Sequence, residues 1–190
     1  MIEKDIVNFF FELGILKRAK RSGWWLINIK DPETIGEHCF RCGVIGYVLA
    51  KLENVDTYKV SLICFLNDLH ETRLNDLHKI GHRYIDFRKA ETEARKEQTE
   101  NLGDIGKDFL ELHNEFQAQK TKESIVARDA DLLENAVQAK EYIEIGYKDA
   151  QNWINNVRKI LKTKSAKKLL DEIEKTSSNQ WWKGLKKIER

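Results

Sequence analysis

At 190 residues and 41% hydrophobic composition, the chain is long enough for one domain with a single core. Its 34% charged residues, single proline and ten glycines exclude a many-turned β fold and favour long solvated helices. A formal net charge of +2 gives no reason to expect a nucleic-acid polymer or a membrane surface as partner.

The N-terminal "MIEKDIVNFFFELGIL" carries acidic residues where a secretory signal is basic, and no window approaches eighteen uninterrupted apolar residues. The helical period over residues 3 to 17 puts Ile6, Phe9/Phe10 and Leu13 on one face, with Leu16 a turn further and Gly14 weakening the end. A basic and aromatic loop follows, "KRAKRSGWWLINIKDPET", in which "WWLINI" reads as a short extended segment. The second helix starts at Thr34. Thr34 and Glu37 have the spacing of a capping box, and Pro32 lies just before the helix, where proline is tolerated.

Cys39 and Cys42 of this helix are formally a CxxC pair. They sit inside an apolar helical pattern and no second pair exists, so buried thiols are favoured over a zinc or redox site. Together with Cys64 they make an odd number without a secretory signal, which suggests reduced thiols in a cytoplasmic protein. A third helix begins near Asp56-Thr57 and runs through "YKVSLICFLNDLHE"; "RLNDLHKIGHRYID" reads as loop and short helix. The helices "FRKAETEARKEQTENL", "DIGKDFLELHNEFQAQ", the long "KESIVARDADLLENAVQAKEYIEIGY" and "DAQNWINNVRKIL" follow, then a final amphipathic piece and a basic end, "KGLKKIER", that reads as a solvated tail. No repeat or linker divides the chain. The expectation is one all-α domain, residues 1–190, of about seven or eight helices.

Ionisable residues interrupt this apolar pattern at three places. His38 lies in the first turn of the second helix, where a lone histidine is ordinarily a satisfied core or surface residue. Asp68 follows Cys64 at i+4, on the side that Val60, Ile63 and Cys64 make apolar. A carboxylate there needs a cation, hydrogen bonds or a metal. Asp129 and Asp131 are two apart on the long helix, about 200° around it, so they do not both face one site. Asp129 is on the apolar stripe of Ile125, Leu132 and Ala136; Asp131 is on a more polar row with Asn135 and Gln138. Periodicity does not choose between them. A histidine, an aspartate on a second helix and an aspartate on a distant helix suit a divalent ion in a hydrolytic role.

In three ordered motifs the chain resembles the HD-domain phosphohydrolases, in particular their small 5′-deoxynucleotidase-like branch. The motifs are "LKRAKRSGWWLINIKDPETIGEHCFRCGVI", "CFLNDLHETRLNDL" and "ARDADLLENAVQAKEY", and they span roughly residues 5 to 145. The resemblance implies an all-α HD-domain bundle, with helices 148–190 packing on it or forming a dimer contact. It implies a divalent metal (Mn, Co, Fe, Zn or Mg) held by His38, Asn67, Asp68 and Asp131. Glu71 would position or activate the attacking water, and Asp76 would contact the sugar or the nucleophile. Arg21, with Arg18 nearby, would grip phosphate, while Trp24 and Glu37 line the substrate. The implied function is hydrolysis of deoxynucleoside monophosphates by a homodimer.

One position departs from the pattern. Asn67 stands where the family's His-Asp pair has histidine, and asparagine offers a carbonyl oxygen in place of an imidazole nitrogen. It is either a disabling replacement or a natural variant. With the rest of the constellation intact, the expectation is an enzyme lineage whose chain here is impaired. Three alternatives remain: a small triphosphohydrolase acting on deoxynucleoside triphosphates, with Lys17, Arg18, Lys20 and Arg21 serving the longer phosphate chain; a nucleotide-binding protein without turnover; and a helical interaction module using its charged helices and exposed tryptophans, Trp153, Trp181 and Trp182.

Overall fold

A computed structural model describes residues 2–185. Among them are nine α-helices and no strand, only an isolated bridge between Lys20 and Thr34. In chain order they are α1 (Ile2–Leu13), α2 (Ile35–Glu53), α3 (Thr57–Leu66), α4 (Glu71–Leu74), α5 (Phe87–Thr99), α6 (Asp104–Ala118), α7 (Lys122–Glu144), α8 (Gln151–Ile160) and α9 (Lys164–Lys175). None of these helices is long and apolar enough to cross a membrane.

The long α7 runs through the middle, and its face is made small by Ala127, Ala130, Ala136 and Ala139, all fully buried. Small side chains let neighbouring helices approach. α2 and α3 cover one side with Leu49, Val60 and Ile63; α8 and α9 close the other with Ile154, Val157 and Leu170. The C-terminal helices therefore belong to the same core as the motif-bearing ones. α2 and α3 lie close because Gly43 and Gly46 face α3. A Cβ at Gly43 would come within 2.4 Å of the Phe65 ring, and one at Gly46 within 2.8 Å of Cys64 Sγ. All three cysteines are buried free thiols. α1 packs through Phe9 on a second, smaller cluster with Leu16, Ile35 and Leu102, while Phe10 is exposed.

The caps follow the sequence closely. Glu37 N–H donates to Thr34 Oγ1 (3.2 Å), and Thr34 N–H donates to Glu37 Oε2 (2.7 Å), which starts α2. Asp56 caps α3 through the N–H groups of Tyr58 and Lys59.

Three expectations need revision. "WWLINI" is not extended: Ser22–Ile27 forms a 3-10 turn, ended by Asn28 in the left-handed region (φ 67°). Its composition suits a strand, but no neighbouring strand is there to pair with it, and burying Trp24 favours the coil. The third helix does not run through to His70. It stops at Leu66, whose carbonyl is taken by Arg95 Nη1 (3.2 Å), and the chain continues in i→i+3 turns before α4. Trp153 is not an exposed aromatic. It stacks on Trp24 with ring centroids 4.8 Å apart, whereas Trp181 and Trp182 are exposed. Residues 186–190 of the basic tail lie outside the described residues.

Candidate metal centre and its cavity

The first turn of α2 carries His38 inward, 1% exposed. Its Nε2 is 3.4 Å from Asp68 Oδ2 and 3.2 Å from Asp131 Oδ1, so the α3–α4 turn and α7 each bring a carboxylate to the same nitrogen. Its Nδ1 meets Glu134, one turn along α7 from Asp131. Glu134 is fully buried and held in turn by Arg41 Nε (2.8 Å). A carboxylate on the far nitrogen of an imidazole fixes its tautomer and raises its basicity, as around metal-bound histidines. Burial and Arg21 oppose a charged His38, but Glu134, Asp131 and Asp68 outweigh them and hold its pKa above the ordinary value. Two carboxylates converging on one nitrogen require a cation between them. A proton on Nε2 meets that need in a metal-free chain, and a divalent ion meets it better. The donor set of one imidazole and two carboxylates with room beside them therefore fits such an ion.

Asn67 sits at the same point. Its Nδ2 donates to Asp68 Oδ1 (2.9 Å), so its amide is spent on orienting the neighbouring carboxylate. Asp68 has its pKa held low: burial works against this, and His38 and Arg21 more than compensate.

The two aspartates that periodicity left undecided have separate tasks. Asp131 is at His38. Asp129, fully buried, accepts from the N–H groups of Lys162 (3.1 Å) and Thr163 (2.7 Å), ahead of α9. Asp129→Ala strands those donors and should cost about 2–4 kcal/mol in urea unfolding. Asp131→Ala should leave unfolding much closer to that of the parent and abolish divalent-ion binding by calorimetry. The reverse assignment of the two losses would contradict this division.

A cavity of about 550 Å³ opens beside the centre. Arg21 reaches its edge, with Nη1 3.8 Å from Asp68 Oδ2 and Nη2 donating to Asn135 Oδ1 (2.7 Å). Glu71 lines it, 6% exposed, with Oε2 buried and without a hydrogen-bond partner. Burial, Asp68 and Asp76 push the Glu71 carboxyl well above its ordinary pKa. Asp76 Oδ2 accepts from Ser22 N–H (2.6 Å), tying the loop after α4 to the 3-10 turn that presents Arg21 and Trp24. Trp24 is an anchor as well as a lining residue: it is 1% exposed, and its Nε1–H donates to Glu33 Oε1 (3.1 Å).

Two named candidates stand apart from this cavity. Glu37 is engaged in the capping box and lines a separate concavity beside Arg41. Arg18 is exposed and outside both linings. Lys20, too, is held elsewhere, by Asp31 (2.6 Å) and the Pro32 carbonyl (2.9 Å). Sequence reasoning missed Glu134, Arg41 and Trp153. A glutamate and an arginine each one turn from a candidate ligand (131/134 and 38/41) were the available signal.

Comparison with known proteins shows the family and the fold. The HD domain matches residues 13–174. The 5′-deoxynucleotidase HDDC2 of Dictyostelium discoideum is 31% identical over 149 residues, covering 73% of this chain and 77% of its own. The Homo sapiens protein of the same name is 26% identical, covering 76% and 72%. A Pyrococcus horikoshii protein of solved structure superposes with a TM-score of 0.77 at 26% identity, covering 89% of this chain and 98% of its own. With the family matched over most of its length and His38, Asp68 and Asp131 gathered where three helical segments meet, the chain belongs to the HD-domain family.

Proposed function

We propose that the chain is a divalent-metal-dependent 5′-deoxynucleotidase, hydrolysing deoxynucleoside monophosphates to deoxynucleoside and phosphate. The observation that carries this is the convergence of Asp68 and Asp131 on His38 Nε2, beside a cavity that Asp68 lines together with Arg21 and the unpartnered Glu71. The names of the relatives support the substrate class. A divalent ion on His38, Asp68 and Asp131 would lower the pKa of water and draw charge from phosphate oxygens. Arg21 offers its planar fork to the phosphate and stays charged among Asp68, Asp76 and Glu33. Glu71, made more basic by burial and by Asp68, takes the proton from the attacking water as the carboxylate. Asp76, in the cavity lining and bonded to Ser22 N–H, is available to contact the sugar or the nucleophile. A longer phosphate chain finds little in the basic loop, since Lys20 is already paired and Arg18 is outside the cavity lining.

The test is product analysis with dAMP and dATP in Mn²⁺ or Co²⁺. Deoxyadenosine and phosphate from dAMP are expected. Triphosphate released from dATP would redirect the reading to a triphosphohydrolase. No cleavage of either, even after Asn67→His, would remove the enzymatic reading. The same proposal includes a homodimer, for which exposed Phe40, Tyr47 and Val48 of α2 with Phe65 of α3 offer an apolar face. Sedimentation equilibrium that fits a monomer would remove this part.

A further inference from the structure

The cavity has two walls, and their polar groups are in different states. On the wall made by α5, α6 and the loop before them, several hydrogen-bonding groups are committed to one another, and Lys79 and Arg88 add positive charge. Gln117 Nε2 donates to Glu91 (3.2 Å), Arg88 to Gln117 (3.5 Å), and Arg95 to His70 Nδ1 (2.8 Å). His82 Nε2 is bonded to the Leu77 carbonyl (2.8 Å). The opposite wall is one face of α8. There Trp153 is clamped by the stacked Trp24, and Gly23 brings backbone against it, so that an added Cβ would lie 3.8 Å from its ring. Beside Trp153, Asn152 and Asn156 are one helical turn apart, line the cavity and are exposed, with no side-chain hydrogen bond among the described residues.

We infer that Asn152 and Asn156 read the nucleobase of the substrate, against the apolar floor that Trp153 and Val157 provide. This rests on the phosphohydrolase reading above and extends it to specificity. With phosphate at Arg21, the wall carrying Lys79 and Arg88 presents charge, whereas α8 presents two neutral carboxamides with unspent donors and acceptors, the better match for an uncharged base. A carboxamide presents one donor group and one acceptor side by side, the complement of a base edge such as adenine N6/N7. A fixed aromatic and aliphatic surface below it supplies the stacking or edge contact that a base needs and a bare sugar phosphate does not.

The experiment measures kcat/KM for the four common deoxynucleoside monophosphates and for deoxyribose 5-phosphate. It compares the Asn67→His chain with the same chain carrying Asn152→Ala and Asn156→Ala. The expected parent result is a base preference and a nucleotide-over-sugar-phosphate ratio well above one. In the double variant that ratio should fall roughly tenfold or more, the discrimination a bidentate base contact gives. Asn156→Asp, which keeps the size but removes the donors, should change the order of preference among bases. An unaltered ratio and order in all variants overturns the inference while leaving the phosphohydrolase standing. Equal loss on deoxyribose 5-phosphate and on nucleotides also overturns it, since that marks a structural role. Failure of the parent on every phosphate ester overturns both readings.

Discussion

Asn67→His should raise divalent-ion affinity by roughly 10- to 100-fold, and phosphate release at limiting Mn²⁺ or Co²⁺ by at least as much, because the substitution acts on a donor of the centre itself and outer partners alone are worth that range. In the chain as it stands, the Asn67 amide donates to Asp68 Oδ1. An amide used in this way can present its oxygen to a cation only by giving up that bond, whereas an imidazole supplies a nitrogen with no competing need. The position is half-buried and lines the cavity, so a larger ring has space on the open side. Isothermal titration of chelator-treated protein with Mn²⁺, run on both chains, reads the effect apart from activity. Equal affinities would mean that His38, Asp68 and Asp131 suffice and that position 67 is not a ligand.

How much of this was readable beforehand differed from residue to residue. The helices announced themselves through a 3.6-residue period, and the α2 start through the Thr34–Glu37 spacing, because both are local properties of the chain. The pairing of Asp68 and Asp131 with His38 is not local. It depends on α7 crossing α2 and α3, so the sequence pattern left Asp129 and Asp131 equivalent, and only family resemblance favoured the second. Asp129 occupies an apolar stripe for a reason no periodicity can show: it serves two amides 33 and 34 residues downstream. Trp153 was misjudged in the same way, since its partner Trp24 lies 129 positions earlier in the chain. "WWLINI" failed for the opposite reason. Its local preference was clear, but with no strand alongside, tertiary burial of Trp24 decided its conformation.

Glu71→Gln is expected to move activity and stability in opposite directions. As a general base, Glu71 is worth about 10²–10⁴ in rate, so kcat should fall by that factor in the metal-replete Asn67→His background, with KM changed far less. Stability should rise. In the folded, metal-free chain the carboxyl is 6% exposed, leaves Oε2 without a partner, and lies near Asp68 and Asp76; its pKa stands above the ordinary 4.5. The folded state therefore binds this proton more tightly than the unfolded state does. Stability is present below about pH 4.5 and is lost as pH rises from there through the folded-state value. Glutamine does not titrate, and it removes the charge that Asp68 and Asp76 oppose. The gain in Tm over the parent should be small at pH 4.5 and grow toward pH 8. Thermal unfolding of chelator-treated protein across that range measures it. A variant less stable at pH 8 would mean that Glu71 is held by a cation in the folded chain. A variant with undiminished kcat would place the base on another group, with Asp76 the next to substitute.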